Sequence, residues 1–157
     1  QNEKKYLIED FFPTGSDERQ YCSPGFDLPV GSLMRTRYGK YKEYHTSSDN
    51  KDFISKDKIE KSVNMYMEIL YVLEGNRYYL NTKPYCEPQL GKRGLYPTLG
   101  SQKATTEFVN AMMWVLNLSD GANDLISISI RSGLKFNVIE EAARRLHEKG
   151  LLKIYLK

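Results

Sequence analysis

Leu125-Ile126-Ser127-Ile128-Ser129-Ile130 is the stretch whose reading settles the architecture of the C-terminal half. Its strict apolar–polar alternation is the pattern of a half-buried strand. Its flanks argue for a helix, since Asp124 stands directly before it and Ser132-Gly133 just after it. Downstream, Asn137 to Lys149 has strong helical periodicity. Asn137 and Glu140 are spaced as a capping box, and Glu140–Arg144 and Glu141–Arg145 as i,i+4 ion pairs. Gly150 closes that helix, and Leu151-Leu152-Lys153-Ile154-Tyr155 alternates as a strand. Upstream, Phe108, Met112, Val115 and Leu116 define a helix ending near Leu118, before Ser119-Asp120-Gly121. Helix, helix, glycine turn, helix and short strand is the order of a helix-turn-helix with a wing, so residues 124–131 are read as helix.

A DNA-reading helix carries base contacts near its N-terminus and holds phosphates with Lys and Arg. The candidate here places Glu140, Glu141 and Glu148 against Arg144, Arg145 and Lys149, a net charge of 3 − 3 = 0 with His147 neutral. Duplex affinity rests largely on counterion release, and Arg131 and Lys135 add little to such a helix. Protein–protein packing or dimerisation is therefore the expected role, and nucleic acid is not an expected partner. His147 is read as an ordinary exposed or interface histidine.

Between this segment and the N-terminal half, residues 76–100 hold Pro84, Pro88, Pro97, Gly91, Gly94 and Gly100 and read as a linker or extended arm. Before them, Ile59, Val63, Tyr66, Leu70 and Leu73 recur at spacings of three and four, widened by Met67 and Ile69. They predict a packing helix that covers a sheet, capped by Ser55 and ended by Gly75-Asn76 in a left-handed conformation. Residues 1–12 read as a strand leading into a turn at Pro13-Thr14-Gly15-Ser16-Asp17. A short helix then begins at Glu18, capped by Ser16 or Asp17, and Pro29 to Thr36 reads as a buried strand.

The 157 residues suffice for one ordinary domain or two small ones. A charged fraction of 27% beside 40% hydrophobic residues is that of a soluble globular chain, and a net charge of +3 is too small to imply nucleic acid or anionic lipid. No apolar run nears the roughly 20 residues of a membrane span, so no membrane is an expected partner, and the N-terminal segment lacks a signal-peptide pattern. Cys22 and Cys86 lie in no Cys-x-x-Cys pair and are expected as free thiols in a reducing compartment, which gives a cytoplasmic location.

Tyr44-His45-Thr46-Ser47-Ser48-Asp49-Asn50 is the segment with the most chemistry. It holds one of only two histidines in the chain, beside an aromatic ring, hydroxyls and a carboxylate. Histidine is the commonest metal ligand, and a nearby carboxylate would fix its tautomer. On spacing alone, the same residues also suit a surface loop capping the helix that follows.

The motif resembles the His-Thr-x-x-Asp segment near the end of the catalytic domain of zinc aminopeptidases and animal glutaminyl cyclases. Those enzymes carry a Ser-Asp-His or Asp-Asp-His turn about thirty residues earlier, then a strand entered through a proline. Gly15-Ser16-Asp17-Glu18-Arg19 and Leu28-Pro29-Val30-Gly31-Ser32-Leu33 stand at those places. The run from Phe11 to Ile54 also resembles a bacterial family of aminopeptidase-like proteins with a C-terminal winged helix, a likeness extending over most of the chain. Glu87-Pro88-Gln89-Leu90-Gly91-Lys92-Arg93-Gly94 is similar to a segment of that family.

The resemblance implies an α/β class. Residues 1–75 would be the truncated C-terminal part of an aminopeptidase-like α/β sandwich, 76–100 a linker, and 101–157 an α+β winged helix-turn-helix domain. It implies His45 as a ligand of zinc, one or two ions in the parent protein. Asp17, Glu18 and Asp49 would lie behind that ligand in its hydrogen-bond network, with Asp49 stabilising the loop. Arg19, Tyr44 and Arg93 are candidate contacts for a peptide or other amide substrate. Glu18 departs from the family turn, which has His there. A catalytic zinc needs about three protein ligands, and two histidines in separate motifs do not supply them. The remaining ligands and the general base are expected from a missing N-terminal part, so this chain alone is not expected to be a working hydrolase. A homo-oligomer is expected. Two other classes are a non-catalytic protein-binding or assembly module and, ranked below it, a DNA-binding regulator.

Overall fold

The computed structural model describes residues 6–13, 15, 17–96 and 102–156. In chain order these form α1 (Asp17–Tyr21), α2 (Lys56–Gly75), β1 (Tyr78–Asn81), a 3-10 turn (Gly91–Arg93), α3 (Gln102–Leu118), β2 (Asp120–Asp124), α4 (Leu125–Ser132), α5 (Phe136–Glu148) and β3 (Leu152–Tyr155). By compactness the chain divides into two units, Gln1–Ser55 and Lys56–Lys157.

The alternating stretch 125–130 is helical, as its flanks predict. The Asp124 carboxylate accepts the Ser127 N–H at 2.8 Å, and Gly133, at φ 70°, ends the helix with its N–H on the Ser129 carbonyl. Asn76 reinforces this start: its amide donates to Asp124 at 2.9 Å and its carbonyl oxygen accepts the Ile126 N–H at 3.1 Å. Burial opposes ionisation of Asp124, but the bonds from Asn76 and Ser127 outweigh it and lower the pKa. Asp120 is lowered too, chiefly by the Ala122 N–H. Groups depressed in the fold stabilise it above their unfolded pKa, near 3.8 here, and lose that contribution as pH falls through the folded value. Thermal melts should therefore be level above about pH 5 and fall below about pH 4. Asp124→Ala should cost about 1 kcal/mol at pH 7 and flatten the acid limb. An acid limb identical in the variant would contradict this role for Asp124.

α5 starts one residue earlier than expected. Lys135 is the N-cap, without a side-chain bond, so Asn137 lies inside the first turn and forms no capping box. Glu140 instead accepts the Tyr71 hydroxyl of α2 in a short hydrogen bond. The Glu140–Arg144 pair does not form, because Arg144 turns to Glu141 at 2.6 Å and Glu148 at 2.5 Å. Glu141–Arg145 forms as expected at 2.7 Å. At the other end Gly150, at φ 70°, donates to the His147 carbonyl and Leu151 to that of Leu146, both at 2.9 Å. This pairing satisfies the last carbonyls and turns the chain into β3.

The segment expected to be a linker supplies the middle strand of an antiparallel sheet ordered β2-β1-β3. Tyr78 to Asn81 pairs with Tyr155 to Leu152, and a bulge interrupts its pairing with β2. The same segment buries Leu90 and Leu95, while Pro97 and Gly100 lie outside the described residues. With Met112, Val115, Ile128, Ile139, Leu146 and Leu152 they form one core for the C-terminal unit.

Three N-terminal expectations change. Residues 6–12 and 29–36 are not strands: no neighbouring strand takes up their backbone groups among the described residues, and Val30, Leu33 and Met34 are exposed. α2 has the predicted extent but buries no residue, and neither Gly75 nor Asn76 is left-handed. The helix stops there because Asn76 is committed to Asp124 and α4. A Cβ on Gly75 would meet the Phe136 ring at 3.1 Å. Ser16, one of the two caps proposed for α1, lies outside the described residues.

Candidate functional site

The candidate site lies in the N-terminal unit and is built by turns rather than by a sheet. The Thr46 hydroxyl donates to the Glu43 carbonyl at 2.8 Å and accepts the Ser48 N–H at 3.2 Å. Asn50 donates to the Ser47 carbonyl at 3.1 Å and accepts the Asp52 N–H at 2.9 Å. Such hydroxyl and amide side chains close turns on their own backbone. Thr46 and Asn50 thus supply the side-chain bonds expected of Asp49, whose exposed carboxylate makes none in the described structure.

This loop holds His45 at φ 57°, in the left-handed region. A non-glycine residue there pays about 1–2 kcal/mol, although histidine tolerates it better than most. The imidazole is exposed and stacks on the Tyr44 ring, with centroids 4.0 Å apart and 16° between planes. Tyr44 packs in turn against Tyr38 and Tyr41, and Tyr41 stacks on Phe53. One face of the histidine is therefore braced while its rim faces outward.

The Tyr38 hydroxyl lies beside the Gly15 turn that precedes α1. The Glu18 carboxylate and the Tyr38 hydroxyl lie 2.5 and 2.8 Å from where a Cβ on Gly15 would stand, and at φ 83° the turn favours glycine. Glu18 also accepts the Ser32 hydroxyl in a short hydrogen bond, which ties α1 to the 28–36 segment. The Cys22 thiol, free like that of Cys86, donates to the Leu28 carbonyl at 3.3 Å in the same region. Tyr38, Tyr44 and His45 are thus packed together and Glu18 is tied to Ser32, whereas Asp17 and Arg19 are exposed on α1. Arg93 sits in the other unit, exposed on the 3-10 turn. Gly15, Ser32 and Tyr38 were missed as site residues. The regular spacing of Tyr38, Tyr41 and Tyr44 was the available signal.

Among the described residues no three His, Cys, Asp or Glu side chains come together to hold a metal ion. His45 offers one unencumbered nitrogen donor, whereas about three protein ligands are needed for catalytic zinc. The described residues fit one ligand of a metal centre, not a complete one.

In the C-terminal unit, the outer face of α5 is occupied with itself. Arg144 and Arg145 both bind Glu141, Arg144 also binds Glu148, and the Arg145 guanidinium lies 4.8 Å from the Phe108 ring centroid. Burial works against the Glu141 carboxylate, but the two arginines hold its pKa down. His147 faces solvent, with Nδ1 2.9 Å from the Leu152 carbonyl.

The class is α/β, and its C-terminal half is a winged helix-turn-helix domain. Residues 77–154 match the winged helix-turn-helix family, and residues 1–76 match a family described as Domain of unknown function (DUF4910). The chain is 52% identical over 152 residues to a Clostridium acetobutylicum protein whose name gives it a role in polysaccharide biosynthesis and an aminopeptidase-like domain. That match takes in 96% of this chain and 34% of the relative. A crystal structure from C. acetobutylicum, of a protein named as a peptidase, superposes with a TM-score of 0.79 at 48% identity, over 98% of this chain and 33% of that one. The chain therefore spans about a third of the length of the relatives it matches. Among the described residues no helix is long and apolar enough to cross a membrane.

Proposed function

We propose that the chain is the C-terminal portion of a zinc-dependent aminopeptidase-like hydrolase of the cytoplasm, and that His45 is one ligand of its metal. The observation that carries this reading is the exposed imidazole, braced on Tyr44 and held at a left-handed backbone position. The likeness to a protein named as a peptidase supports it. Zinc in such a centre activates water for attack on an amide carbonyl. The work of this chain's own residues is positional. Tyr44 fixes the ring plane, Tyr38 and Tyr41 buttress Tyr44, and Thr46 and Asn50 shape the loop. Asp17 and Asp49 join the polar surroundings once the other ligands are present, and Arg19, Tyr44 and Arg93 are the proposed substrate contacts. The winged helix serves domain packing or dimerisation, since the cations of α5 are already engaged by its own carboxylates.

The test is elemental analysis and amide hydrolysis with the full-length protein. Stoichiometric zinc is expected, with release of amino-terminal residues from peptides that stops on chelation and returns with added zinc. A metal-free full-length protein that hydrolyses no aminoacyl amide would overturn the reading and leave a binding or assembly module.

A further inference from the structure

α2 is a twenty-residue helix with no buried residue, although apolar side chains make up much of its surface. Ile59, Val63, Leu70 and Leu73 are each more than half exposed, and with Tyr66 they run in one stripe at spacings of four and three. At about 100° per residue the stripe spans about 80° of the helix. Met65 and Ile69, also exposed, extend the apolar surface along one flank. The remaining arc carries Glu60, Lys61, Asn64 and Glu68 and ends at Tyr71 and Gly75, which meet Phe136 and Glu140 of α5. The polar side of α2 thus leads into the winged helix, while Ile59, Val63, Leu70 and Leu73 on its apolar side stay largely exposed.

We infer that this apolar side is the surface on which the preceding two-thirds of the parent polypeptide packs, so that α2 joins the catalytic part to the winged helix. The inference rests on the reading under Proposed function. A helix with an apolar face this broad and a polar face opposite turns the apolar one onto a core, and a patch this extensive marks a contact surface. The occupant follows from three observations. The relatives are about three times as long as the stretch matched here. The family match that ends at residue 76 takes α2 together with the N-terminal unit, where Phe11, Phe12 and Phe26 are exposed as well. The winged helix, matched from residue 77, has a core of its own and needs no such cover. A second copy pairing helix to helix would cover the narrow stripe and leave Met65 and Ile69 in water, so a broad surface suits α2 better.

Hydrogen exchange resolved along α2 tests this in the full-length protein and in residues 1–157 alone. Amides from Val63 to Leu73 should exchange about a hundredfold more slowly in the full-length protein, at every protein concentration. Equal exchange in the two proteins would overturn the inference. So would protection in the shorter chain that grows with concentration, the mark of a second copy on α2. Exchange reads packing and not chemistry. A protected α2 in a metal-free, inactive full-length protein would sink the hydrolase reading and leave this inference standing.

Discussion

Leu146→Ala should unfold the winged helix at temperatures where the unaltered chain is stable. Leu146 is fully buried in α5, within the core formed by Met112, Val115, Ile128, Ile139 and Leu152. Truncating a buried leucine costs about 2–5 kcal/mol, the spread reflecting how far the cavity collapses. Collapse is limited here because the Leu146 carbonyl accepts the Leu151 N–H at 2.9 Å and fixes the turn through Gly150 into β3. Small domains hold only about 5–15 kcal/mol in total, so the loss is a large share, visible as a drop of about 10 °C or more in melting temperature. Ile130→Ala is the matched control, because Ile130 is 78% exposed on α4 and surface truncations stay within about 0.5 kcal/mol. Equal shifts in the two variants would mean that the core is not organised around α5.

The winged helix was legible where local chemistry decides the backbone. Asp124 and Gly133 mark the ends of α4 in the sequence itself, so the alternation of 125–130 could be set aside. β2 was not legible. Asp120-Gly121-Ala122-Asn123-Asp124 has the composition of a turn, and only its pairing with β1 makes it a strand. β1 failed similarly, because four residues beside a proline-rich segment announce no sheet until β3 lies alongside. The capping box at Asn137 failed because the helix starts at Phe136, which leaves Asn137 inside the first turn and Glu140 free to bond Tyr71, 69 residues away in the sequence. The periodicity of α2 was plain, but periodicity reports which face is apolar and not what covers it. The 29–36 run has the composition of a buried strand, and composition cannot supply a neighbouring strand. At the candidate site, Tyr44 and His45 stood out by residue type. Gly15 matters through its left-handed backbone and the side chains that crowd its turn, which spacing does not reveal.

His45→Gly should leave the N-terminal unit folded and remove metal and activity from the full-length protein. At φ 57° glycine adopts the native backbone without the penalty that histidine carries. The turn bonds of Thr46 and Asn50 do not involve the imidazole and should survive. The loss of the Tyr44 stack offsets part of the gain, so the net change in stability should stay within about 1 kcal/mol. Activity should respond far more. Removing a hydrogen-bond partner behind a metal ligand costs roughly 10–100-fold, and removing a ligand itself should cost more. Glu18→Gln, which keeps the side-chain shape beside Ser32, should cost less than removal of the ligand. The measurements are zinc content, the melting temperature of the full-length protein, and amide hydrolysis at saturating zinc. A purely structural His45 would give the opposite pattern, a changed melting temperature with metal retained. If histidine is kept in a conformation that glycine would occupy more comfortably, its side chain has a task other than holding the loop. Zinc retained at full stoichiometry in His45→Gly would place the metal ligands elsewhere and leave the left-handed histidine without a catalytic purpose.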